Sequence, residues 1–207
     1  MAQPIDKATI INRALIQLGQ APSFSLDDES FANGAIDAVW PDVVDICFGL
    51  HDWTFARRTS RLTRLAAKPD NGWTYGFELP GDRLGAPLLV LRAVVQSEAV
   101  LRTYTIEGGT LFAHEPAVWA RCKVEVDPVA WEPNFRTAFT TALASRLAVP
   151  MQQDEGLAAE LWAAAFGTPA QGGTGGAFGR LVAQDRAAAP VSSPLLRSDP
   201  LTDARWL

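Results

Sequence analysis

His51-Asp52-Trp53-Thr54-Phe55-Ala56-Arg57-Arg58 is where the pattern of the chain changes. Before it, an amphipathic segment ends in the apolar run Ile46-Cys47-Phe48-Gly49-Leu50. After it, apolar residues alternate instead of recurring every three or four positions. Trp53 and Phe55 stand two apart, so on an extended backbone they face the same way. The junction therefore reads as a helix handing over to a strand, with Trp53 and Phe55 plugging the core. His51 reads as a junction residue bonded to backbone rather than as a general base.

Upstream, the 3.6-residue period predicts a first helix over 7–18, capped by Asp6 and ended by Gly19 and Pro22. Its apolar face is Ala8, Ile11, Leu15 and Leu18. A second helix is expected from Ser25 or Asp27, with Asp27-Asp28-Glu29 against its positive end. Those three carboxylates read as capping charges, not as a metal site. The face continues through Ile36, Val39/Trp40, Val43, Ile46/Cys47 and Leu50, and Pro41 predicts a kink or break.

Downstream, 53–132 reads as a β portion. Trp73, Tyr75, Phe77 and Leu79 alternate with polar or small residues. Pro80-Gly81-Asp82 marks a turn. Leu88 to Val95 is a short buried strand, and Gly108-Gly109 joins a hairpin between 103–106 and 111–113. In the last strand Val118, Ala120, Cys122, Val124 and Val126 point one way. Trp119, Arg121, Lys123 and Glu125 point the other.

Helical periodicity returns at 133. Phe135, Phe139, Ala142/Leu143 and Leu147 form a stripe expected to end before Pro150. A fourth helix, capped by Asp154, carries Leu157, Leu161 and Ala164/Ala165. The fold class expected is thus α+β. About four helices from 1–52 and 133–166 form an antiparallel bundle, 53–132 is an antiparallel β insertion, and 167–207 is an extended tail. The tail is rich in glycine (Gly172-Gly173, Gly175-Gly176, Gly179) and proline, and its apolar groups are isolated. It reads as a docking segment without a core of its own, with Phe178, Leu195, Leu196, Trp206 and Leu207 as anchors.

The 207 residues are 48% hydrophobic and 20% charged, with a net charge of −5, so the chain as a whole is no polycation. Residues 57–68 nevertheless hold Arg57, Arg58, Arg61, Arg64 and Lys68 without an acid, a local +5. Arg57, Arg58, Arg61 and Arg64 suit a solvated face or a subunit interface better than a phosphate-binding strip. Asp6 and Lys7 precede any long apolar run, no stretch has the length of a membrane span, and a cytoplasmic site of synthesis is expected. Cys47 and Cys122 lie in apolar patterns and read as buried thiols.

Signs of catalysis are few. The glycine run lacks the lysine of a phosphate loop, and His114-Glu115 lacks the second histidine of a zincin. With only His51 and His114, a three-histidine zinc site is excluded. No nucleophile elbow is present. No cofactor, metal or catalytic residue is assigned. A carboxylate pair for glycan cleavage is a matter of spatial distance, about 5–9.5 Å between the acids.

Several stretches, in order, resemble the tail tubular protein A family, the head-to-tail adaptors of tailed phages. They are Ala14-Leu15-Ile16-Gln17-Leu18-Gly19 with Ser25-Leu26-Asp27-Asp28-Glu29, then Trp53-Thr54-Phe55-Ala56. Tyr75-Gly76-Phe77-Glu78-Leu79-Pro80-Gly81-Asp82 follows, then Tyr104-Thr105-Ile106-Glu107-Gly108-Gly109-Thr110-Leu111, then the helix Phe135 to Leu147. The resemblance covers about residues 8–166. It implies a virion structural protein made in the host cytoplasm and catalysing nothing. It also implies a homo-oligomeric ring, dodecameric in short-tailed phages, set between a portal protein and a tail, nozzle or stopper protein. DNA would pass through the lumen without sequence readout, and no membrane is involved. The alternative from another class is a virion-associated glycan- or peptidoglycan-cleaving enzyme. A DNA-binding packaging factor would need a basic surface extending beyond 57–68.

Overall fold

A computed structural model describes residues 5–22, 31–94, 100–171 and 175–188. Among these it holds five α-helices and two antiparallel sheets, a mixed α+β fold. Contacts divide the chain into two units. One runs to Arg57 and resumes over Val124–Arg186; the other is Arg58–Lys123.

The first unit is helical. α1 is Lys7–Gln17, with the Asp6 carboxylate accepting from the Thr9 amide at 2.8 Å. Gly19 adopts φ 67°, the left-handed turn that ends the helix. α2 is Phe31–Gly49 and continues through Pro41, so the helix does not break there. Proline deprives the carbonyl four residues back of its bond. Here that residue is Asp37, on the exposed side, where water can satisfy it. The expected start of this helix, near Ser25 or Asp27, lies outside the described residues.

α3, Pro133–Gln152, packs on α1, α2 and α4. Phe135, Phe139, Ala142, Leu143 and Leu147 are all buried, as the stripe predicts. The helix also passes the expected stop at Pro150, ending at Gln153 in the left-handed conformation. The carbonyl freed there belongs to exposed Arg146, the same escape as at Pro41. Gln152 donates its side-chain amide to the Leu18 carbonyl, satisfying the end of α1. α4 is Glu155–Phe166, capped by Asp154.

α5, Gly176–Ala188, falls where a coreless tail was expected. Phe178 is fully buried, stacked on Phe166 at 5.1 Å and lying 6.1 Å from Trp53. The glycines make this return possible. Gly167 has φ 87° and Gly176 φ 60°, and a Cβ on Gly176 would lie 2.6 Å from the Ala165 carbonyl oxygen. They serve a tight turn here, not a tether. Residues 189–207 lie outside the described residues.

The second unit is β. β1 (Arg57–Arg61), β7 (Trp119–Lys123) and β4 (Leu89–Leu91) form one sheet in the order β1-β7-β4. β2 (Thr63–Arg64), β3 (Tyr75–Glu78), β6 (Thr110–Ala113) and β5 (Thr105–Glu107) form the other, in the order β2-β3-β6-β5. The insertion is thus two small sheets, not one, and buried Leu62 separates β1 from β2. The Leu62 amide donates to the Val118 carbonyl at 2.9 Å. The hairpin expected at Gly108-Gly109 joins β5 to β6, with φ 54° and 84°. β3 and β7 are shorter than the expected strands over 73–79 and 118–126, but their inward residues Phe77, Ala120 and Cys122 are buried. The apolar run from Leu88 yields only the three residues of β4, and Val94 is exposed.

Candidate functional site

Two groups of side chains stand out. The first is the junction. Thr54–Ala56 forms a 3-10 turn, not extended backbone, so the reason given for Trp53 and Phe55 facing one way does not hold. They meet nonetheless, stacked with centroids 6.2 Å apart. Trp53 is fully buried against Phe135 at 5.1 Å, and its indole Nε1–H donates to the Cys47 carbonyl at 2.9 Å. Phe48, Trp131 and Phe135 extend the cluster edge to face. Trp131 escaped the sequence reading. Its one signal was an aromatic just ahead of the proline that opens α3.

Asp185 of α5 ties the same junction together. It accepts from the Thr54 hydroxyl at 2.5 Å and the Thr54 amide at 3.2 Å. His51 Nε2 lies 3.0 Å from its other oxygen. An ionised carboxylate only accepts, so that nitrogen carries the proton. Burial pushes the Asp185 pKa up, but the Thr54 hydroxyl, the Thr54 amide and His51 outweigh it, and the net shift is downward. The trio superficially resembles a catalytic triad. In a triad the hydroxyl bonds to the imidazole. Here Thr54 and His51 both bond to the carboxylate, so the geometry is that of a clasp holding α5 to the junction.

The second group is the arginine run, which the structure divides. Arg57 is half-buried and donates to the Asp52 carbonyl at 2.6 Å. Arg58 pairs with Asp82 of the Leu-Pro-x-Asp turn at 2.5 Å. That hydrogen bond holds the carboxyl below its usual range and raises the guanidinium. Both partners are about half exposed, 49% and 48%, so water screens the pair and it contributes little to stability. Arg61 lies over the Trp119 ring at 5.6 Å, and Arg64 over Tyr75 at 4.9 Å. The antiparallel register of β1 and β7 sets Thr59 opposite Arg121, whose Nε–H donates to the threonine hydroxyl at 3.1 Å. The same register sets Arg61 opposite Trp119. One face of this sheet therefore presents Thr59, Arg61, Trp119 and Arg121, while Arg58 points to the other face.

A cleft of about 300 Å³ beside this face is lined by Arg61, Leu62, Thr63, Arg64, Phe77, Pro116 and Ala117. A second, of about 250 Å³, lies in the helical unit between Asn134, Thr137 and Ala138 of α3 and Ala177, Arg180, Leu181 and Gln184 of α5. Neither is lined by Asp or Glu, and neither are the two other clefts at Gly85 and Lys68. Among the described residues, hydrogen bonds hold the Asp6, Asp82 and Asp185 carboxyls below their usual range. No metal-holding group of three His, Cys, Asp or Glu occurs among the described residues, and no described helix is long and apolar enough to cross a membrane. Cys47 and Cys122 are unpaired buried thiols, and burial pushes both pKa values up.

Of the expected docking anchors, Phe178 belongs to its own unit's core and has no surface to offer a partner. Leu195, Leu196, Trp206 and Leu207 lie outside the described residues. Compared with models of known protein families the chain matches none, and a comparison with characterised proteins finds no match either.

Proposed function

We propose that the chain is a structural protein of a virion. It acts as a head-to-tail adaptor whose copies form a ring between portal and tail, through which DNA passes. The observation that carries this reading is where the resembling motifs fall. Trp53-Thr54-Phe55 sits at the junction of helix and strand, and Tyr75 to Asp82 is β3 with its turn. Tyr104 to Leu111 lies on the β5–β6 hairpin, and Phe135 to Leu147 is the body of α3. The motifs occur in order on a helical unit interrupted by a β unit, the organisation that the resemblance implies. In the fuller form of the proposal, α1 to α4 act as an adaptor bundle. Docking to the portal then falls to residues beyond α5, with Trp206 and Leu207 as its anchors.

The competing enzyme reading calls for two acids facing each other across a cleft, one with a raised pKa. The four clefts described above are lined by basic, neutral polar and apolar residues. Electron microscopy of particles made with and without this protein tests the proposal. A ring below the portal is expected, lost together with this chain. Particles that keep an intact connector without it would overturn the reading. So would loss of glycan digestion by purified protein on changing a single Asp or Glu.

A further inference from the structure

We propose that the Arg61–Trp119 face of β1 and β7 docks on the outer stripe of α2 in a second copy of the chain. This rests on the ring reading and names the contact from which the ring would be built. Three observations carry it.

First, charge is partitioned between the units. Residues 58–123 hold nine Lys and Arg against six Asp and Glu, a net +3. Residues 1–57 with 124–186 hold seven against fifteen, a net −8. A surface of the β unit is therefore attracted to a helical unit and repelled by another β unit.

Second, the face has the composition of an interface anchor. Arg61 is exposed and its guanidinium lies over the half-buried Trp119 indole, which fixes a charge that is otherwise costly to order. Arginine and tryptophan dominate interface hot spots. Duplex DNA is the lesser fit. Neighbouring Arg121 is half-buried and occupied with Thr59, leaving few outstretched cations for the many phosphate contacts that nucleic-acid affinity needs.

Third, α2 offers a matching surface. Its exposed described positions are Gly34, Asp37, Ala38, Pro41, Asp42, Asp45 and Gly49. The exposed side chains of α2 itself are small or acidic; Lys7 of α1 lies 3.9 Å from Asp37 and over the Trp40 ring, which leaves Asp42 and Asp45 as the acids for a second copy to meet. Two copies joined symmetrically through β1 would oppose their own arginines, which is unfavourable. A sheet-to-α2 contact is heterologous instead, and heterologous contacts close into rings when the rotation allows.

The test uses the full chain. Light scattering at low ionic strength should show wild-type association that weakens as salt is added. Arg61→Glu should remove it, and Arg61→Gln should weaken it at least tenfold. A double variant Asp42→Arg/Asp45→Arg should also be monomeric alone, yet associate when mixed with Arg61→Glu. Circular dichroism and melting curves identify any variant that fails to fold, and the glutamine change is the gentler check. A monomeric wild type at low salt would overturn the contact, as would an Arg61→Glu chain that associates normally. Retention of wild type on duplex DNA, lost in Arg61→Glu, would assign the face to nucleic acid. Particles that carry rings built from Arg61→Glu would refute this contact alone and leave the adaptor reading standing.

Discussion

Trp53→Ala is the most informative single perturbation of the helical unit. Trp53 is 1% exposed, with rings of His51, Phe135, Phe178 and Phe55 at 5.2, 5.1, 6.1 and 6.2 Å. Removing so large a buried side chain costs about 3–5 kcal/mol. The Cys47 carbonyl also loses the indole donor, which adds ~1 kcal/mol if no water replaces it. With a urea slope of ~2 kcal/mol per molar, the midpoint should fall by about 2 M. Trp53→Phe keeps the ring contacts and loses the hydrogen bond, so it should fall by less than half as much. Phe178→Ala should also destabilise by about 3–5 kcal/mol. Because the two rings meet, the double variant should cost less than the two single changes together. Far-UV circular dichroism during urea titration measures all four. A midpoint shift below about 0.5 M for Trp53→Ala, or strict additivity with Phe178→Ala, would refute the reasoning that junction and α5 share one core.

Asp185 has a depressed pKa, so its contribution is fully present above the unfolded value, near 4, and is lost as pH falls through the folded one. Asp185→Asn should lower the melting temperature at pH 6, with the curves of variant and wild type converging as pH falls through the depressed folded value. Gly176→Ala forces a Cβ against the Ala165 carbonyl at a positive φ and should destabilise by about 1–3 kcal/mol in chemical denaturation. Gly34→Ala, in open space on α2, should stabilise by about 0.5–1 kcal/mol. Cys47 and Cys122 should resist a thiol reagent at pH 8 in the native protein and react on unfolding, because burial raises both thiols.

The parts legible in the sequence are those set by local chemistry. Asp6, Asp154 and Gly19 cap helices where the sequence places them, and Gly108-Gly109 supplies two positive φ angles for a hairpin. The misreadings come from context. Pro41 was expected to kink or break its helix and Pro150 to stop one, but each frees the carbonyl of an exposed residue, Asp37 or Arg146. Glycine in 172–179 reads alike for a loose tether and for a tight return. The spacing of Phe178 and Leu181 was the signal of a buried helix face that composition obscured. The arginines of 57–64 were visible as a cluster. Their separation onto different faces and different sheets depends on strand pairing, which no local pattern encodes. The clasp at Asp185 joins residues 134 apart in the chain, a pairing that no short-range spacing can announce.

That separation along the chain has a consequence for biosynthesis. The helical unit is discontinuous, because its first segment ends at Arg57 and its second begins at Val124. As the chain emerges from a ribosome, α1 and α2 have no α3 to cover their apolar faces until the entire β unit has been made. Holding the ends of that 66-residue excursion together costs about 4 kcal/mol of chain entropy if the excursion is still disordered. A β unit that has already folded removes most of that cost. Early folding of 58–123 is therefore expected to ease closure of the helical unit. Slow translation through 58–123 should protect the nascent chain. Mutations that merely weaken the small sheets should appear in cells as aggregation of the helical half.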